Sequence, residues 1–336
     1  MPEVSVIMPA YNCEAFIGES VESILKQSFT DFEFIIIDDA STDKTVEMIR
    51  GYNDPRIILL VKPGNTGYTD SLNMAIRLAK GKYIARMDAD DIALVNRFEV
   101  QYRFLEKNKD TLVVGSHYKI IGTDTTIHLP VTYDEVKITA MMHVPVAHPT
   151  AFIRKEVFTK YAFRYDKNFE PAEDYDLWCK VLEKGKIENI DEVLLLYRHH
   201  NLQQSKLKHK RIVEVAVGTR SAQLQKLIDF TGRQYDPLFA IDVLTKNIRQ
   251  VTKPVLKTIR TLLDDLYAGN KKKNIYNQKL FGDYLKEKWS HYIGLYNFMR
   301  LSDIPLLFPV KPYTITRVDL KFAMNRLLKI SRFKNL

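Results

Sequence analysis

The chain has 336 residues, of which 46% are hydrophobic and 27% charged, so it is an ordinary globular sequence longer than one typical domain. Its net charge of +9 is unevenly distributed: residues 1–200 are net −7, with 31 acidic and 24 basic side chains, whereas residues 201–336 are net +16, with 10 and 26. The only two cysteines, Cys13 and Cys179, exclude a disulfide framework, and the lack of any run of about 18 uncharged apolar residues excludes a spanning segment.

Strand and helix patterns alternate through the first 90 residues. β-branched and apolar runs predict four strands, at residues 4–8, 32–38, 56–61 and 83–87. Helical spacing of apolar residues predicts helices between them, at residues 14–26, from about 41 to 51, and from 65 to 80, the last closed by Gly81. This alternation predicts right-handed crossovers and an α/β fold with a mostly parallel sheet flanked by helices.

The rest of the chain predicts a mixed continuation and then a helical region. Helices are expected at residues 96–106, 133–142 and 174–183, and extended segments at residues 112–122, 150–154 and 187–197. After residue 205 the pattern changes to long helical stretches, at residues 213–230 and 238–266. We therefore predict two domains, an α/β domain at residues 1–205 and a basic, mainly α-helical region at residues 206–336.

Polar side chains follow three of the predicted parallel strands. They are Tyr11-Asn12, Asp38-Asp39 and the acidic stretch Asp88-Ala89-Asp90-Asp91. Ligands of open parallel sheets bind beyond the carboxyl ends of the strands, so these segments should meet at one rim. Side chains two apart on an extended segment point the same way, about 6 to 7 Å apart, so Asp88 and Asp90 are expected to share a hard cation such as Mg2+ or Mn2+. Asp91 is expected to cap the segment that follows.

Six segments, taken in this order, resemble the family 2 glycosyltransferases with the GT-A, Rossmann-like fold. They are residues 4–12, residues 36–43, Asn65-Thr66-Gly67, residues 88–91, Glu173-Asp174 and residues 197–200 (Tyr-Arg-His-His). The resemblance covers about residues 3–205 and implies an inverting enzyme that transfers a sugar from a nucleotide-diphosphate sugar, with UDP the expected nucleotide, to an acceptor hydroxyl. Ala40 departs from the family, which more often has glycine there; a small residue is expected to fit.

The resemblance also implies roles for individual residues. Asp174 is the expected general base, with Glu173 a supporting acid, and Asp90 and His200 are the expected ligands of Mn2+ or Mg2+. Asp39 is expected to accept a hydrogen bond from the base. The nucleotide-sugar contacts implied are Pro9, Ala10, Tyr11, Asn12, Asp39, Asn65, Asp88 and Ala89. A glycan or lipid-linked acceptor in cell-envelope, capsular or other surface polysaccharide synthesis is the family-level expectation.

Two other functions are compatible with parts of the sequence. A sugar-1-phosphate nucleotidylyltransferase would share the sheet and metal, but it would normally show a glycine-rich, arginine-containing loop where Pro9 to Cys13 stand. A nucleic-acid-binding protein would use the +16 tail, although no recognition motif accompanies those charges and no nucleic-acid partner is expected.

The basic tail also predicts a place for the protein in the cell. No signal peptide opens the chain, which predicts residence in the cytoplasm, with peripheral association at the inner face of the membrane. Residues 316–334 mix apolar and basic side chains as an interfacial helix does, and the alternative is that the apolar side packs on the tail itself or on a second subunit of an oligomer.

Overall fold

The computed structural model describes residues 1–200 and 208–296, and these residues divide into two compact units, with the boundary between Thr219 and Arg220. The domain boundary predicted at residue 205 stays a prediction. The expected interfacial helix at residues 316–334 lies outside the described residues.

The first unit contains one mixed sheet whose nine strands all lie among the described residues. They are β1 (Val4–Ala10), β2 (Phe32–Asp38), β3 (Ile57–Val61), β4 (Tyr83–Arg86), β5 (Ile92–Ala93), β6 (Thr111–Ile120), β7 (Thr126–Ile127), β8 (Phe152–Arg154) and β9 (Lys186–Tyr197). The strand order is β3-β2-β1-β4-β8-β6-β9-β5, with β7 paired to β6. Strands β1 to β4 are parallel, β8 is antiparallel to both of its neighbours, and β6 is parallel to β9.

Helices follow the strands much as the apolar spacing predicts. In the first unit they are α1 (Ile17–Leu25), α2 (Thr45–Arg50), α3 (Tyr68–Leu78), α4 (Arg97–Lys107), α5 (Tyr133–Thr139), α6 (Glu156–Thr159) and α7 (Glu173–Val181), with 3-10 turns at His148–Thr150 and Lys167–Phe169. The predicted α/β fold, a mostly parallel sheet flanked by helices, is confirmed.

Both faces of the sheet are covered, which explains why its central strands are largely apolar. Val6 and Phe34 belong to a hydrophobic cluster on one side of the sheet, and Ile7 and Ile35 belong to a cluster on the other. Successive strand residues point to opposite faces, so a strand covered on both sides has no position for a solvated side chain. The polar residues of β1 and β2, Ser5 and Glu33, are buried and hydrogen-bonded to each other.

Gly81 has a different role from the one its sequence position indicates. Helix α3 ends at Leu78, three residues earlier, so Gly81 does not close it. A Cβ atom at Gly81 would lie 2.6 Å from the backbone nitrogen of Ser5 and 2.7 Å from the carbonyl carbon of Val4. Glycine is needed here because β1 approaches the turn before β4 too closely for any side chain.

The described part of the second unit is helical. Besides α8 (His209–Gln225), which begins in the first unit, the helices are α9 (Pro237–Leu244), α10 (Lys253–Lys273) and α11 (Gln278–Leu295). The single helical stretch predicted at residues 238–266 is wrong, because α9 ends at Leu244 and α10 begins anew at Lys253. Pro254 lies in the first turn of α10, the position where a missing N–H costs nothing, and it could not lie inside a continuous helix.

One face of α10 forms the core of this unit. Leu256, Ile259, Leu263 and Leu266 recur at helical spacing and are buried, and α10 contacts both α9 and α11. Within residues 1–200 and 208–296, every helix is too short or too polar to cross a membrane.

Candidate active site

The loops after β1 and β2 are tied together by side chains at the predicted rim. The backbone N–H of Asn12 donates to the Ser41 hydroxyl at 2.9 Å, and the Asn12 amide oxygen accepts the N–H of Thr42 at 2.8 Å. Asp38 is fully buried and accepts from the backbone and the hydroxyl of Ser41. Asp38 therefore fixes the turn that follows its strand, which leaves Asp39 as the residue that faces the next loop.

Ala40 shows why the family more often has glycine at this position. Its φ is +63°, in the left-handed region that L-residues other than glycine enter at a cost of roughly 1 to 2 kcal/mol. The expectation that only size matters here was incomplete: alanine fits the space but strains the backbone.

Asp39 holds the loop that precedes α3. Its two carboxylate oxygens accept the backbone N–H groups of Thr66 and Gly67, each at 2.9 Å, and one of them forms an ion pair with Lys62 at 2.6 Å. Asp39 is 3% exposed, and its own N–H donates to Ala10. Asp39 thus joins the ends of β1, β2 and β3 into one wall through its backbone N–H and its side chain, and the contact with a nucleotide base implied by the resemblance stays a prediction.

The three aspartates that follow β4 lie in different environments. Asp88 is paired with the buried guanidinium of Arg86, two residues before it on the same side of the strand. Asp90 is half-buried, and its Oδ2 lies 2.8 Å from His200 Nε2. Burial, and then the charge of Asp88, raise the pKa of Asp90 above its usual value.

Asp91 is not a helix cap, contrary to the expectation. Asn96 precedes α4, whereas Asp91 is fully buried and accepts the backbone N–H of Arg198 at 2.9 Å through Oδ1. Arg198 Nε in turn donates to the backbone oxygen of Asp90 at 2.8 Å, and its guanidinium contacts Glu19. The end of β9 is thereby fastened across the acidic stretch, which places His200 against Asp90.

Glu173 and Asp174 form the first turn of α7 and differ in their surroundings. Glu173 is 2% exposed; its Oε2 accepts a hydrogen bond from the Tyr68 hydroxyl, and its Oε1 lies 3.9 Å from His148 Nδ1. Asp174 is half-buried and accepts the N–H of Tyr175 at 2.7 Å through Oδ1. Burial raises the pKa of Asp174 to about 6, and burial together with the neighbouring charge of Asp174 raises the pKa of Glu173 to about 8.

The residues around Asp90 fit a divalent cation. Oxygen atoms of Asp88, Asp90 and Asp91 lie within 4.8 Å of one another, and Asp91 Oδ2 is buried without a hydrogen-bond partner among the described residues. Two ligands at right angles on an ion with bonds of 2.0 to 2.1 Å would be about 3 Å apart, close to the separation of Asp90 Oδ2 and His200 Nε2. The carboxylates suit Mg2+ or Mn2+, and an imidazole ligand beside them favours Mn2+ over the harder Mg2+.

The structure brings most of the predicted residues to one region of the first unit. His200 contacts Asp90, and the charge of Asp88 raises the pKa of both Asp90 and Asp174. Ala10, Asp39 and the loop after Asn65 are joined by hydrogen bonds, while Tyr11, Asn12 and Asn65 are exposed, Pro9 is half-buried and Ala89 is buried.

Sequence reasoning missed the residues that support this site. Arg86, Lys62, Tyr68 and Arg198 all contact predicted site residues from a strand end or helix start. Two of them carry a usable signal: Asp88 follows Arg86 at the two-residue spacing that puts strand residues on one face, and Arg198 lies in the Tyr-Arg-His-His segment.

A second cluster of possible metal ligands, His117, His128 and Asp191, has a simpler explanation. His117 Nδ1 accepts the backbone N–H of Leu129 at 3.2 Å, so its other nitrogen, Nε2, carries the hydrogen and donates to Asp191 at 2.9 Å. A metal at Nε2 would require the opposite tautomer and would break the bond from Leu129. This cluster is a hydrogen-bonded brace between β6 and β9.

Comparison with known proteins agrees with this geometry. Residues 5–162 match the family model described as "Glycosyl transferase family 2". An uncharacterized glycosyltransferase of Haemophilus influenzae is 30% identical over 282 residues, covering 80% of this chain and 86% of the relative. The Escherichia coli protein WfaP, named UDP-Glc:alpha-D-GlcNAc-diphosphoundecaprenol beta-1,3-glucosyltransferase, is 34% identical over 217 residues, covering 63% of this chain and 84% of the relative.

Solved structures share the fold. S. aureus TarS 1–349 in complex with UDP-GlcNAc superposes with a TM-score of 0.59 at 16% identity, covering 89% of this chain and 94% of the other. The mannosyltransferase PcManGT from Pyrobaculum calidifontis, in complex with GDP-Man and Mn2+, superposes with a TM-score of 0.50 at 16% identity, covering 98% and 87%. At these identities the likeness establishes the architecture alone.

Proposed function

This chain belongs to the family 2 glycosyltransferases and is a sugar-transferring enzyme, and we propose that it catalyses inverting transfer from a UDP-sugar to a hydroxyl of a glycan or lipid-linked acceptor. The alternatives of a nucleotidylyltransferase and a nucleic-acid-binding protein are set aside by the family membership. The reaction would serve synthesis of cell-envelope, capsular or other surface polysaccharide.

One observation carries the proposal: the buried guanidinium of Arg86 interacts both with the aspartates suited to a metal and with the aspartate suited to a general base. The Arg86 guanidinium contacts Asp88, and its charge opposes the rise in pKa that burial causes at both Asp90 and Asp174. The acidic group suited to a metal and the carboxylate suited to a general base therefore lie in one electrostatic environment. Donor activation and acceptor deprotonation require these two kinds of group together.

Different residues have different roles in the transfer step. Asp174 accepts the N–H of Tyr175 through Oδ1, and its carboxylate would accept the proton of the acceptor hydroxyl as the acceptor oxygen attacks the anomeric carbon. The bond from that carbon to the diphosphate oxygen breaks on the opposite face, so a single displacement inverts the configuration. Asp90 and His200 would hold Mn2+ or Mg2+, which neutralises the charge that develops on the departing diphosphate.

Two relatives favour a uridine nucleotide and a lipid-linked acceptor. Asp39 does not decide the nucleotide, because a carboxylate accepts hydrogen bonds from the ring N–H of uracil, thymine or guanine alike. WfaP and another Escherichia coli relative, WfgD, 29% identical over 213 residues, are named for transfer from UDP-Glc to a diphosphoundecaprenol-linked sugar, forming a beta-1,3 bond. We assign the same chemical class of donor and acceptor to this chain.

Association with a membrane follows from that acceptor. A lipid-linked substrate stays at the membrane surface, and the net charge of +16 over residues 201–336 would attract anionic headgroups. We propose that the basic region, including residues 316–334, brings the enzyme to the inner membrane face.

A donor screen tests the proposed function. Purified protein is incubated with UDP-, GDP- and dTDP-sugars, with Mn2+, Mg2+ or EDTA, and release of the nucleoside diphosphate is measured with and without a short-chain polyprenyl-diphosphate-linked sugar. Metal-dependent release of UDP that rises with acceptor supports the proposal. If only a GDP- or dTDP-sugar is turned over, the proposal of a UDP-sugar donor is wrong. Equal turnover in EDTA would show that the reaction needs no metal.

A further inference from the structure

Lys62 is a buried cation at the carboxyl end of β3. It directly follows Val61, the last residue of that strand, and its side chain is 3% exposed. Lysine is almost never fully buried unless it is paired, because an ammonium loses its hydration shell on burial. Oxygen atoms around Lys62 Nζ must therefore replace the lost water, and the groups that supply them are held together by it.

Four oxygen atoms surround Lys62 Nζ. Asp39 Oδ1 lies at 2.6 Å, Ser71 Oγ at 3.1 Å and Asp70 Oδ2 at 3.3 Å, and the hydroxyl of Thr66 is also in contact. The Thr66 hydroxyl in turn donates to Asp70. Because these partners come from the residue after β2, from the loop after β3 and from the start of α3, one ammonium joins three segments of the chain.

Lys62 also balances the charge of Asp39. Oδ1 of Asp39 accepts hydrogen bonds from the ammonium and from the N–H of Thr66, and Oδ2 accepts the N–H of Gly67. Among the described residues, Lys62 is the only cation in an ion pair with this carboxylate. Without the ammonium, the carboxylates of Asp39 and Asp70 would surround a position that holds no positive charge, and like charges repel. We expect them to move apart, and the loop that contains Thr66 and Gly67 to move with them.

Lys167 offers a comparison in the same loop. Its ammonium donates to the backbone oxygen of Thr66 at 3.0 Å, so Lys62 and Lys167 both contact that residue. Lys167 is exposed, whereas Lys62 is buried. An exposed hydrogen bond contributes little, because water can replace either partner. The two lysines therefore separate the effect of a buried ammonium from that of a lysine that only contacts the loop.

We infer that Lys62 is a positioning residue for donor binding: its buried ammonium fixes Asp39 and the loop that contains Thr66 and Gly67, and so sets the shape of the wall against which the nucleotide is held. This inference rests on the proposed function, in which that wall binds the nucleotide of a UDP-sugar. The partners of Lys62 belong to the wall rather than to the groups assigned to the metal or to proton transfer. Loss of Lys62 should therefore weaken donor binding and spare the chemical step.

Lys62→Met removes the ammonium and keeps an unbranched side chain. We expect it to raise the Kd of UDP, measured by calorimetry with Mn2+, by about 10- to 100-fold, the range seen when a residue that orients a metal ligand is lost. The KM for the UDP-sugar should rise in parallel while kcat stays of the same order as wild type, and Lys167→Met should change none of these. Because Lys62 acts through Asp39, the double variant with Asp39→Asn should bind UDP no more weakly than Asp39→Asn alone. Additive losses of affinity, or a fall in kcat without a change in Kd, would contradict the inference.

Hydrogen exchange of backbone amides tests the arrangement without donor or turnover. The amides of Thr66 and Gly67 are bonded to Asp39, so they should exchange slowly in wild type and in Lys167→Met. In Lys62→Met they should exchange at least about 10-fold faster, while the amides of β1 and β2 keep their protection. Faster exchange throughout the sheet would show a loss of global stability only, and it would refute the inference.

The remaining outcomes separate the role of Lys62 from the proposed function. A folded Lys62→Met protein with wild-type exchange at Thr66 and Gly67 refutes the inference, whatever the nucleotide. If Lys62→Met does not fold, Lys62→Gln, which can still bond Asp39 but carries no charge, is put through the same two measurements with the same expectations. A wild-type protein that binds no nucleotide sugar, in which Lys62→Met still loses protection of these two amides, would refute the proposed function and leave the role of Lys62 in the loop intact.

Discussion

His200 Nε2 lies 2.8 Å from Asp90 Oδ2, although 110 residues separate the two in the chain. The approach is held from both sides, since Arg198 fastens the end of β9 to the acidic stretch and the ring of Phe16 lies 4.7 Å from that of His200. An imidazole and a carboxylate in this position are ready to share one cation.

The first prediction concerns that cation. Asp90→Asn should abolish metal-dependent transfer and leave the fold intact, because a half-buried rim carboxylate contributes little packing. His200→Ala should weaken Mn2+ binding by at least the roughly 10- to 100-fold that loss of even an outer-shell partner costs. Manganese titrations followed by electron paramagnetic resonance, with UDP present, measure both. Asp124→Asn, a fully exposed acid elsewhere, is the control, and wild-type Mn2+ affinity in Asp90→Asn would refute the assignment.

The second prediction concerns the base. Asp174→Asn should bind UDP-sugar normally and lose transfer by about 10² to 10⁴-fold, the typical contribution of a positioned general base. Calorimetry gives the donor affinity and single-turnover assays give the chemical step. Unimpaired transfer would move the base to another residue.

The third prediction is a pH dependence. Burial raises the pKa of Asp174 to about 6, and only the ionised form accepts a proton, so kcat/KM should fall as pH drops through about 6. An ordinary aspartate would place this limb near about pH 3.9. The assay is run at saturating Mn2+ so that loss of metal does not imitate the limb. The residual activity of Asp174→Asn should not fall as pH drops through about 6. If it still does, a group other than Asp174 causes the fall.

The fourth prediction concerns stability. The folded pKa of Glu173 is raised to about 8 from an ordinary value of 4.5, so its stabilising contribution is complete below pH 4.5 and is lost as pH rises toward 8. Each unit of pKa difference corresponds to about 1.4 kcal/mol. The Tm difference between Glu173→Gln and wild type should therefore increase in favour of glutamine between pH 5 and pH 8.5. Glu192→Gln, an exposed acid, should show no such trend, and a constant difference for Glu173→Gln contradicts the raised pKa.

The fifth prediction concerns the basic region. The protein should sediment with phosphatidylglycerol vesicles at low salt and be released at high salt, since each basic side chain near an anionic leaflet contributes on the order of 1 kcal/mol and salt screens it. A chain ending before Thr316 should sediment less. Equal sedimentation of the two would remove residues 316–334 from membrane binding, and no sedimentation of either would favour packing of the tail on itself or on a second subunit.

Sequence patterns predicted the α/β architecture because its strands are buried on both faces and its helices carry regular apolar spacing. They placed Asp38 and Asp88 at the ends of strands and Asp174 at the start of a helix, and the structure has them there. They failed where long-range packing decides a local choice. Gly81 was assigned to a helix end, but the close approach of Ser5 explains it, and this contact is invisible in the local sequence.

The same limit applies inside the site. Asp91 looks like a cap from its neighbours, yet its partner is the backbone of Arg198, which is 107 residues away. The contrast between Glu173 and Asp174 could not be predicted either, because it depends on Tyr68 and His148, which come from separate elements. Residue type and spacing identify the chemistry of a site, and only the fold determines which side chains contact one another there.

The clamp between Asp39 and the backbone of Thr66 and Gly67 has a kinetic consequence. Because the N–H groups of this loop are already bonded within the chain, this part of the proposed nucleotide pocket is assembled before any donor arrives. Donor binding would then require no ordering of this loop, and we expect its association rate to depend on diffusion into the cleft and on the arrival of the metal. The enzyme would sample nucleotide sugars rapidly and discriminate among them by how fast each one leaves.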